Sequence, residues 1–245
     1  MPLTFAHPAI VLPFPRNSKW FHFTALVLGS MAPDFEYFLR GEPHAVIGHT
    51  FLGFFYFNLP LVVVVYFLYS RYVMDVLMQN LPFFLQDSYI NKNKQKNLIG
   101  LFVFCYSALL GMLTHVVWDS FTHLNGYMVT QISLLSSQVT LFGYSFLAFK
   151  LLQHGGTLCG GMIIFLYLCY RGKLFHSSKP TSIALKKKLL YWFLILFLTS
   201  LLVAGWSILF YVPITVYGTT VVRIIDSFFL SLLIVSIIFK KYIKN

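Results

Sequence analysis

The third strongly apolar run of the sequence ends in side chains that could do chemistry, in the stretch GMLTHVVWDSFTH. His115 and Asp119 are four residues apart, so on a helix they share one face. His123 lies a further four residues along, roughly 12 Å above His115 on a straight helix, and we interpret it as an interfacial residue. Imidazole and carboxylate together are ligands that zinc, manganese and non-haem iron prefer. The pair therefore predicts a metal site or a proton site at the end of an apolar helix.

Similar side chains stand near the ends of three other apolar runs. Asp34 and Glu36 occur in APDFEYF, His49 occurs in GHTFLGFF, and Gln153 precedes His154 in KLLQHGG. Each residue alone has a simpler interpretation, as an interfacial side chain, a helix cap or, for Glu36, an ion-pair partner of Arg40. Taken together they form one candidate ligand set, which comprises Asp34, His44, His49, His115, Asp119 and His154.

The elements that must position these residues are membrane helices. Of the 245 residues, 58% are hydrophobic and only 10% are charged, whereas soluble domains carry about 25% charged residues. The net charge of +11 is explained by cytoplasmic loops better than by nucleic-acid binding. The three cysteines lie inside apolar runs and form no C-x-x-C motif, so we interpret them as small packing residues.

The fold we predict is an all-α, polytopic transmembrane helical bundle of about six spans. We expect one membrane-embedded domain over residues 1–245, in which residues 1–170 carry the motifs and residues 171–245 form a basic loop and two further spans. Two basic loops separate the spans, Ser70–Asn97 and Arg171–Lys188. The predicted spans are Trp20–Phe38, Val46–Tyr69, Leu98–Trp118, Leu151–Tyr170, Leu189–Val212 and Thr219–Phe239.

The distribution of basic residues predicts the orientation of this bundle. Six spans with both termini cytoplasmic place 15 of the 18 Lys and Arg residues on the cytoplasmic side. The same topology brings the candidate ligands to one depth at the opposite, non-cytoplasmic face. We therefore expect a multi-pass protein of the cell membrane, with lipid as its neighbour and no nucleic-acid partner.

Five motifs together resemble a bacterial membrane family of unknown function that begins with an MPFT-x-SHPA-like sequence. They cover about the first two-thirds of the chain, and the last two predicted spans carry no motif. The five motifs are MPLTFAHPAIVLPFPR, LVLGSMAPDFEYFLR, GHTFLG, LLGMLTHVVWDSFTH and KLLQHGG.

A more distant resemblance is to bacterial inner-membrane-associated metal-dependent hydrolases, which in turn resemble zinc-dependent phospholipase C. Those proteins have an early His, a P-D-x-D element, an H-x4-H element and a later S-H-x3-D element. This chain departs from them at Glu36, where they have Asp, and at Ala45, where they have a phosphate-binding Arg. The positions that correspond here are His7, Asp34, Glu36, His44, His49, His115 and Asp119.

The resemblance adds His7 to the candidate metal ligands, although the predicted topology leaves the N-terminus on the cytoplasmic side. The apolar, proline-rich segment Leu3–Phe14 would then have to enter the membrane and return. Its reach suffices, because nine extended residues cover roughly 30 Å.

Together these features predict a membrane-bound, metal-dependent hydrolase that acts on a lipid-linked or phosphoester substrate at the non-cytoplasmic face. The resemblance implies a divalent metal, zinc first, with Asp119 as ligand and catalytic residue and Glu36 as ligand or general base. Two alternatives remain open at this point. One is an ion- or proton-coupled transporter, and the other is a non-catalytic membrane protein whose polar cluster only stabilises packing.

Overall fold

The structure, a computed structural model, is built almost entirely of α-helices, which confirms the predicted all-α class. It describes residues 4–87, 98–141, 143–174, 183–213 and 215–244. A 3-10 helix, Thr4–Val11, precedes the α-helices, and one short hairpin pairs β1 (Gln138–Leu141) with β2 (Tyr144–Leu147). The α-helical segments are α1 (Phe23–Gly29), α2 (Phe35–Arg40), α3 (Phe51–Asn80), α4 (Leu98–Thr122), α5 (Tyr127–Gln131), α6 (Ser133–Ser136), α7 (Ala148–Leu174), α8 (Leu185–Leu209) and α9 (Tyr217–Lys244).

Five helical segments among the described residues are long and apolar enough to cross a membrane, so the chain has the character of a multi-pass membrane protein. They overlap the second to sixth predicted spans. Part of each predicted basic loop, including residues 88–97 and 175–182, lies outside the described residues. The five candidate spans are Phe51–Asn80, Leu98–Gln131, Ala148–Leu174, Leu185–Leu209 and Tyr217–Lys241.

The first predicted span, Trp20–Phe38, is not among these helices. It is divided into α1, a 3-10 turn at Ala32–Asp34, and α2, none of which exceeds seven residues. Pro33 accounts for the break, because its ring would clash with the carbonyl of Gly29, four residues earlier, and because it lacks the N–H that a continuing helix needs. None of these pieces is long enough by itself to count among the candidate membrane spans.

Helix α3 is continuous but irregular. It contains π-helical turns at Phe54–Asn58 and Tyr69–Val73. The first lies just before Pro60, whose ring would clash with the carbonyl group four residues earlier in a regular α-helix. The π-helical turn accommodates the proline because it is wider than an α-helical turn. It ends at Asn58, whose side chain is buried.

The chain forms two compact units, each assembled from separate stretches of sequence. The first comprises Met1–Asp34, Gly48–Val62 and Asn91–Tyr167. Its central contact is between α1 and α4, whose backbones touch: a Cβ added to Gly29 would lie 2.1 Å from the Ala108 carbonyl oxygen, and one added to Gly111 would lie 2.4 Å from that of Leu26. Small residues at the crossing allow this approach.

The second unit comprises Phe35–Ile47, Val63–Ile90 and Leu168–Asn245. Its core includes the fully buried Tyr191 and Ile195 of α8, packed among side chains of α3 and α9. The Tyr191 hydroxyl lies 2.9 Å from Ser236 Oγ. Each candidate ligand except Glu36 and His44 belongs to the first unit, so that unit holds the site.

Candidate metal site

Five of the predicted ligands converge in the first unit, and we call this set the His/Asp cluster: His7, Asp34, His49, His115 and Asp119. Ligand atoms of His7, Asp34 and His115 lie within 4.8 Å of one another, as do those of His49, His115 and Asp119. The five side chains come from the N-terminal 3-10 helix, the 3-10 turn, the turn that leads into α3, and α4. Their convergence is therefore a product of tertiary packing.

Four members of the cluster form a closed ring of short distances. His115 Nε2 lies 3.2 Å from Asp119 Oδ2 and 3.6 Å from Asp34 Oδ1. His49 Nε2 lies 3.7 Å from Asp119 Oδ2 and 3.6 Å from Asp34 Oδ1. Two imidazoles and two carboxylates thus alternate around one central point.

The backbone of Ser30 determines which nitrogen of His115 faces the cluster. His115 Nδ1 lies 2.8 Å from the Ser30 carbonyl oxygen, and a carbonyl can only accept, so Nδ1 carries the proton and donates it. In a neutral ring Nε2 is then an acceptor that faces carboxylate oxygens of Asp34 and Asp119. Either a second proton on His115 or a metal cation would satisfy this arrangement, and a donated Nδ1–H is the usual outer partner of a metal-bound histidine.

Thr4 orients the carboxylate of Asp34 in the same way. Its hydroxyl donates a 2.6 Å hydrogen bond to Asp34 Oδ2, which leaves Oδ1 directed toward His49 and His115. Asp34 is almost completely buried, and this burial raises the pKa of its carboxyl group. A cation beside Oδ1 would offset that penalty and keep the carboxylate ionised.

His7 lies against His115 with the two rings stacked, 3.9 Å between centroids and 15° between planes. Its Nε2 is 3.7 Å from Asp119 Oδ1. Burial, reinforced by the neighbouring His115, lowers the pKa of His7 to about 3, so the ring is neutral at pH 7 and can act as a ligand. The 3-10 helix reaches this position by passing close to α7, where a Cβ on Gly160 would lie 2.9 Å from the Ala6 carbonyl oxygen.

His49 lies in the turn just before α3, and hydrogen bonds of the residues on either side of it, Gly48 and Thr50, hold this turn. The Asn58 side chain donates a 2.6 Å hydrogen bond to the carbonyl of Gly48, and Thr50 Oγ1 caps the helix by accepting from Gly53 N. About one third of the His49 side chain is exposed, whereas His115 is fully buried. The cluster is therefore open to the outside on the His49 side.

His123 lies at this opening, although we interpreted it as an interfacial residue. Its Nδ1 is 3.5 Å from Asp119 Oδ1 and 3.1 Å from the Asp119 carbonyl oxygen, and a third of its side chain is exposed. Its distance from His115 along the helix predicts that it lies too far away to share the site. The residue that it contacts is Asp119, four residues before it on the same helix face. That spacing was the signal in the sequence that could have identified His123.

Glu36 does not lie in either group of ligand atoms. Its Oε1 accepts from Arg40 Nε at 2.8 Å, and its Oε2 accepts from the backbone N–H groups of Val46 and Ile47 at 3.0 and 2.8 Å. The predicted ion pair with Arg40 is present, at 2.7 Å. Both carboxylate oxygens thus bind within the second unit, where they hold the loop after α2.

Two further predicted ligands, His44 and His154, are exposed side chains, and neither group of converging ligand atoms includes them. His44 is in the loop after α2, and His154 is in the second turn of α7. The predicted topology of the spans gives them a common depth with His115, but depth alone does not bring side chains together. Within the described residues the candidate site therefore comprises the five-residue His/Asp cluster, with His123 beside it.

Four buried polar atoms of the cluster have no hydrogen-bond partner among the described residues. An unsatisfied buried group costs about 1–3 kcal/mol, so four at one place require an explanation such as an ion. The donor set fits one transition-metal ion, because the single free nitrogen of His115 can serve only one centre and His115 belongs to both groups. The four atoms are His7 Nδ1, Asp34 Oδ1, His115 Nε2 and Asp119 Oδ1.

Comparisons with known proteins place this site in a family. Neither the curated proteins nor the solved structures contain a significant match to the chain. A family model described as "Domain of unknown function (DUF4184)" matches residues 1–237, nearly the whole chain, including every residue of the His/Asp cluster. The chain therefore belongs to the DUF4184 family.

Proposed function

We propose that the His/Asp cluster binds one divalent transition-metal ion, zinc first, and that the protein is a membrane-bound metal-dependent hydrolase. The observation that carries the proposal is the pairing of two buried carboxylates, Asp34 and Asp119, with inward-facing imidazole nitrogens. A second proton on His115 would balance one carboxylate charge, whereas one divalent cation balances both. Buried charges require such compensation.

Neighbouring ligand atoms in the cluster have the spacing expected around one zinc ion, and either converging group of three ligands would leave a coordination position for water. Zinc bonds to nitrogen and oxygen ligands of about 2.0–2.2 Å place neighbouring tetrahedral ligands about 3.3–3.6 Å apart. The ring of His49, Asp34, His115 and Asp119 has distances of 3.2–3.7 Å. His7, stacked on His115, supplies a further nitrogen from the side.

The open side of the cluster suits hydrolysis. A bound metal ion would lower the pKa of a coordinated water and polarise an ester. His123, one third exposed beside Asp119, is placed to take a proton from that water and to return it to the leaving oxygen. In this hydrolysis the water oxygen forms a bond to phosphorus or to the acyl carbon, the bond to the alcohol oxygen breaks, and the alcohol leaves protonated.

We infer that the cluster lies near the non-cytoplasmic face, and five crossings support this placement better than six. With the C-terminus cytoplasmic, as its lysines favour, five crossings put the chain before Phe51 on the opposite side of the membrane. That side then holds His7, Asp34 and His49 together with the C-terminal end of α4. The N-terminus would be non-cytoplasmic, in place of the cytoplasmic location predicted with six spans, and His7 reaches the site without re-entering the membrane.

Metal content measured by mass spectrometry tests the proposal. Purified full-length protein, loaded with zinc and then dialysed, should retain about one ion per chain, whereas His115→Ala should retain almost none. His154→Ala is the matched control, since it removes an exposed imidazole from the same unit and should keep the ion. Asp119→Asn, which preserves the shape of the side chain, provides a second test if His115→Ala fails to fold.

Wild-type protein that binds no zinc, or a His154→Ala variant that loses as much zinc as His115→Ala, would overturn the metal site. Hydrolysis is tested separately with a chromogenic phosphodiester and a chromogenic carboxylic ester. Zinc-dependent release of the chromophore, absent in Asp119→Asn, supports the enzyme. Zinc binding without any hydrolysis would overturn the hydrolase and retain the two alternatives, an ion- or proton-coupled transporter and a non-catalytic membrane protein.

A further inference from the structure

An apolar groove of about 380 Å³ runs along α4 beside the His/Asp cluster, entirely within the first unit. Its walls include Ile10 of the N-terminal 3-10 helix, Val117 and Phe121 of α4, and Leu152 of α7. Its volume lies within the range of small-molecule sites, roughly 300–1,000 Å³. The groove is therefore of a size to hold part of one small molecule.

The two threonines in the lining do not make the groove polar. Thr114 Oγ1 donates to the Gly111 carbonyl at 2.7 Å, and Thr122 Oγ1 donates to the Trp118 carbonyl at 3.3 Å. Both hydroxyls are thus satisfied by the backbone of α4. An occupant of this groove gains from apolar contact and must itself be apolar.

The groove and the cluster share their supporting elements. The groove is lined by the face of α4 that includes Val117 and Phe121, in the same stretch of helix as His115 and Asp119 but on a different face. Ile10 is three residues, about one 3-10 turn, after His7. The Oγ1 atom of Thr122 lies 3.3 Å from His123 Nδ1. The Thr122 end of the groove is therefore the end nearest to His123 and the open side of the cluster.

The packing of α7 gives the groove a closed side. A Cβ added to Gly156 would lie 2.6 Å from the ring of Trp118, so this glycine lets the indole lie directly against α7. The groove thus has a wall, which distinguishes it from a convex helix face. Its rim is open: Val117 is 50% exposed and Leu152 is 41% exposed, on two helices that have the composition of membrane spans.

We propose that this groove binds an acyl chain of a membrane lipid, so that the ester or phosphoester group of that lipid reaches the His/Asp cluster. The proposal rests on the proposed function and narrows its substrate class to lipids. Hydrocarbon is the medium that surrounds an apolar rim on a membrane span, so a chain can enter laterally while its polar group remains at His49 and His123. A soluble phosphoester would leave the groove unused.

Photo-crosslinking tests the groove in the full-length protein. The protein is kept in detergent, and a trace of phospholipid that carries a diazirine in one acyl chain is added with or without an excess of unlabelled phosphatidylglycerol. We expect labelling at Val117, Phe121 and Leu152 that excess unlabelled lipid suppresses. Labelling at Phe102, which is 70% exposed near the other end of α4, should not saturate.

Two variants make the test specific to the groove. Val117→Trp should fill it and lower labelling at Phe121 and Leu152 by roughly tenfold, since losing about two buried methylene contacts changes affinity by that factor. Val64→Trp is the matched control, because Val64 is 52% exposed on a different candidate span, and it should leave the labelling unchanged. Leu152→Trp blocks the groove from α7 and replaces Val117→Trp if that variant fails to fold.

The outcomes separate this proposal from the metal site. Unsaturable labelling in the groove, or labelling that Val64→Trp and Val117→Trp change equally, would overturn the acyl-chain site even if the protein binds zinc. Saturable labelling in a protein that binds no zinc would retain the acyl-chain site and overturn its role in hydrolysis. Both measurements use the same purified protein.

Discussion

The Nδ1 atom of His115 lies 2.8 Å from the carbonyl oxygen of Ser30, a residue 85 positions earlier in the chain. This contact aims Nε2 of His115 at the two carboxylates. It exists because α1 and α4 touch at their backbones: a Cβ on Gly111, one helical turn before His115, would lie 2.7 Å from the Ser30 backbone nitrogen. The glycine at the helix crossing thus helps to position the candidate ligand.

Gly111→Ala should therefore weaken both folding and metal binding. The added methyl group must move α1 away from α4, which we expect to cost about 1–3 kcal/mol of unfolding free energy. The same displacement should lengthen the bond from His115 to Ser30 and lower zinc affinity. Thermal unfolding in detergent and zinc titration measure the two effects.

Gly155→Ala is the control for this substitution, since a Cβ there would meet no atom within 4 Å among the described residues. It should leave the unfolding temperature and the zinc affinity close to those of the wild type. Equal effects of Gly155→Ala and Gly111→Ala would contradict the role assigned to the crossing.

Thr4→Val should reduce zinc affinity while the fold persists. The substitution keeps the shape of the side chain and removes the 2.6 Å hydrogen bond that orients Asp34. Losing the hydrogen-bond partner of a metal ligand typically lowers affinity by about 10- to 100-fold. Isothermal titration with zinc measures the change, and Thr140→Val, on an exposed strand, is the control. An unchanged affinity in Thr4→Val would remove Asp34 from the ligand set.

Glu36→Gln should separate stability from metal binding. Its carboxylate pairs with Arg40 and accepts two backbone hydrogen bonds, so we expect a loss of about 1–3 kcal/mol in unfolding free energy. Zinc content per folded chain should stay at the wild-type level. If zinc is lost while the unfolding temperature is unchanged, Glu36 is a ligand, as the distant resemblance implies.

His123→Asn should lower hydrolysis while the metal remains bound. The residue contacts Asp119 at the open side of the cluster but belongs to neither group of converging ligand atoms. Removing a general acid–base group lowers turnover by about 10²- to 10⁴-fold. Steady-state kinetics with the chromogenic esters, alongside zinc content, measures this. Loss of zinc in the variant would make His123 a ligand instead.

The sequence by itself determined the membrane character of the chain, the approximate positions of five long helices and the pairing of His115 with Asp119. Each depends on composition or on helical periodicity, which neighbouring residues specify. The ion pair between Glu36 and Arg40 could be predicted for the same reason, because the two residues are four positions apart on one helix. The first predicted span is not one continuous helix, because composition shows that a stretch is apolar but does not show where its backbone turns.

Only the tertiary structure decided which of the predicted ligands meet. His7, Asp34 and His49 join His115 and Asp119 because α1 and α4 touch at glycines, Thr4 and Ser30 orient two ligands, and the N-terminal helix stacks His7 on His115. His44 and His154 resemble these residues in sequence but remain exposed. A sequence records residue types and spacing along the chain, whereas a ligand set depends on the directions in which side chains point, and those follow from packing between distant segments.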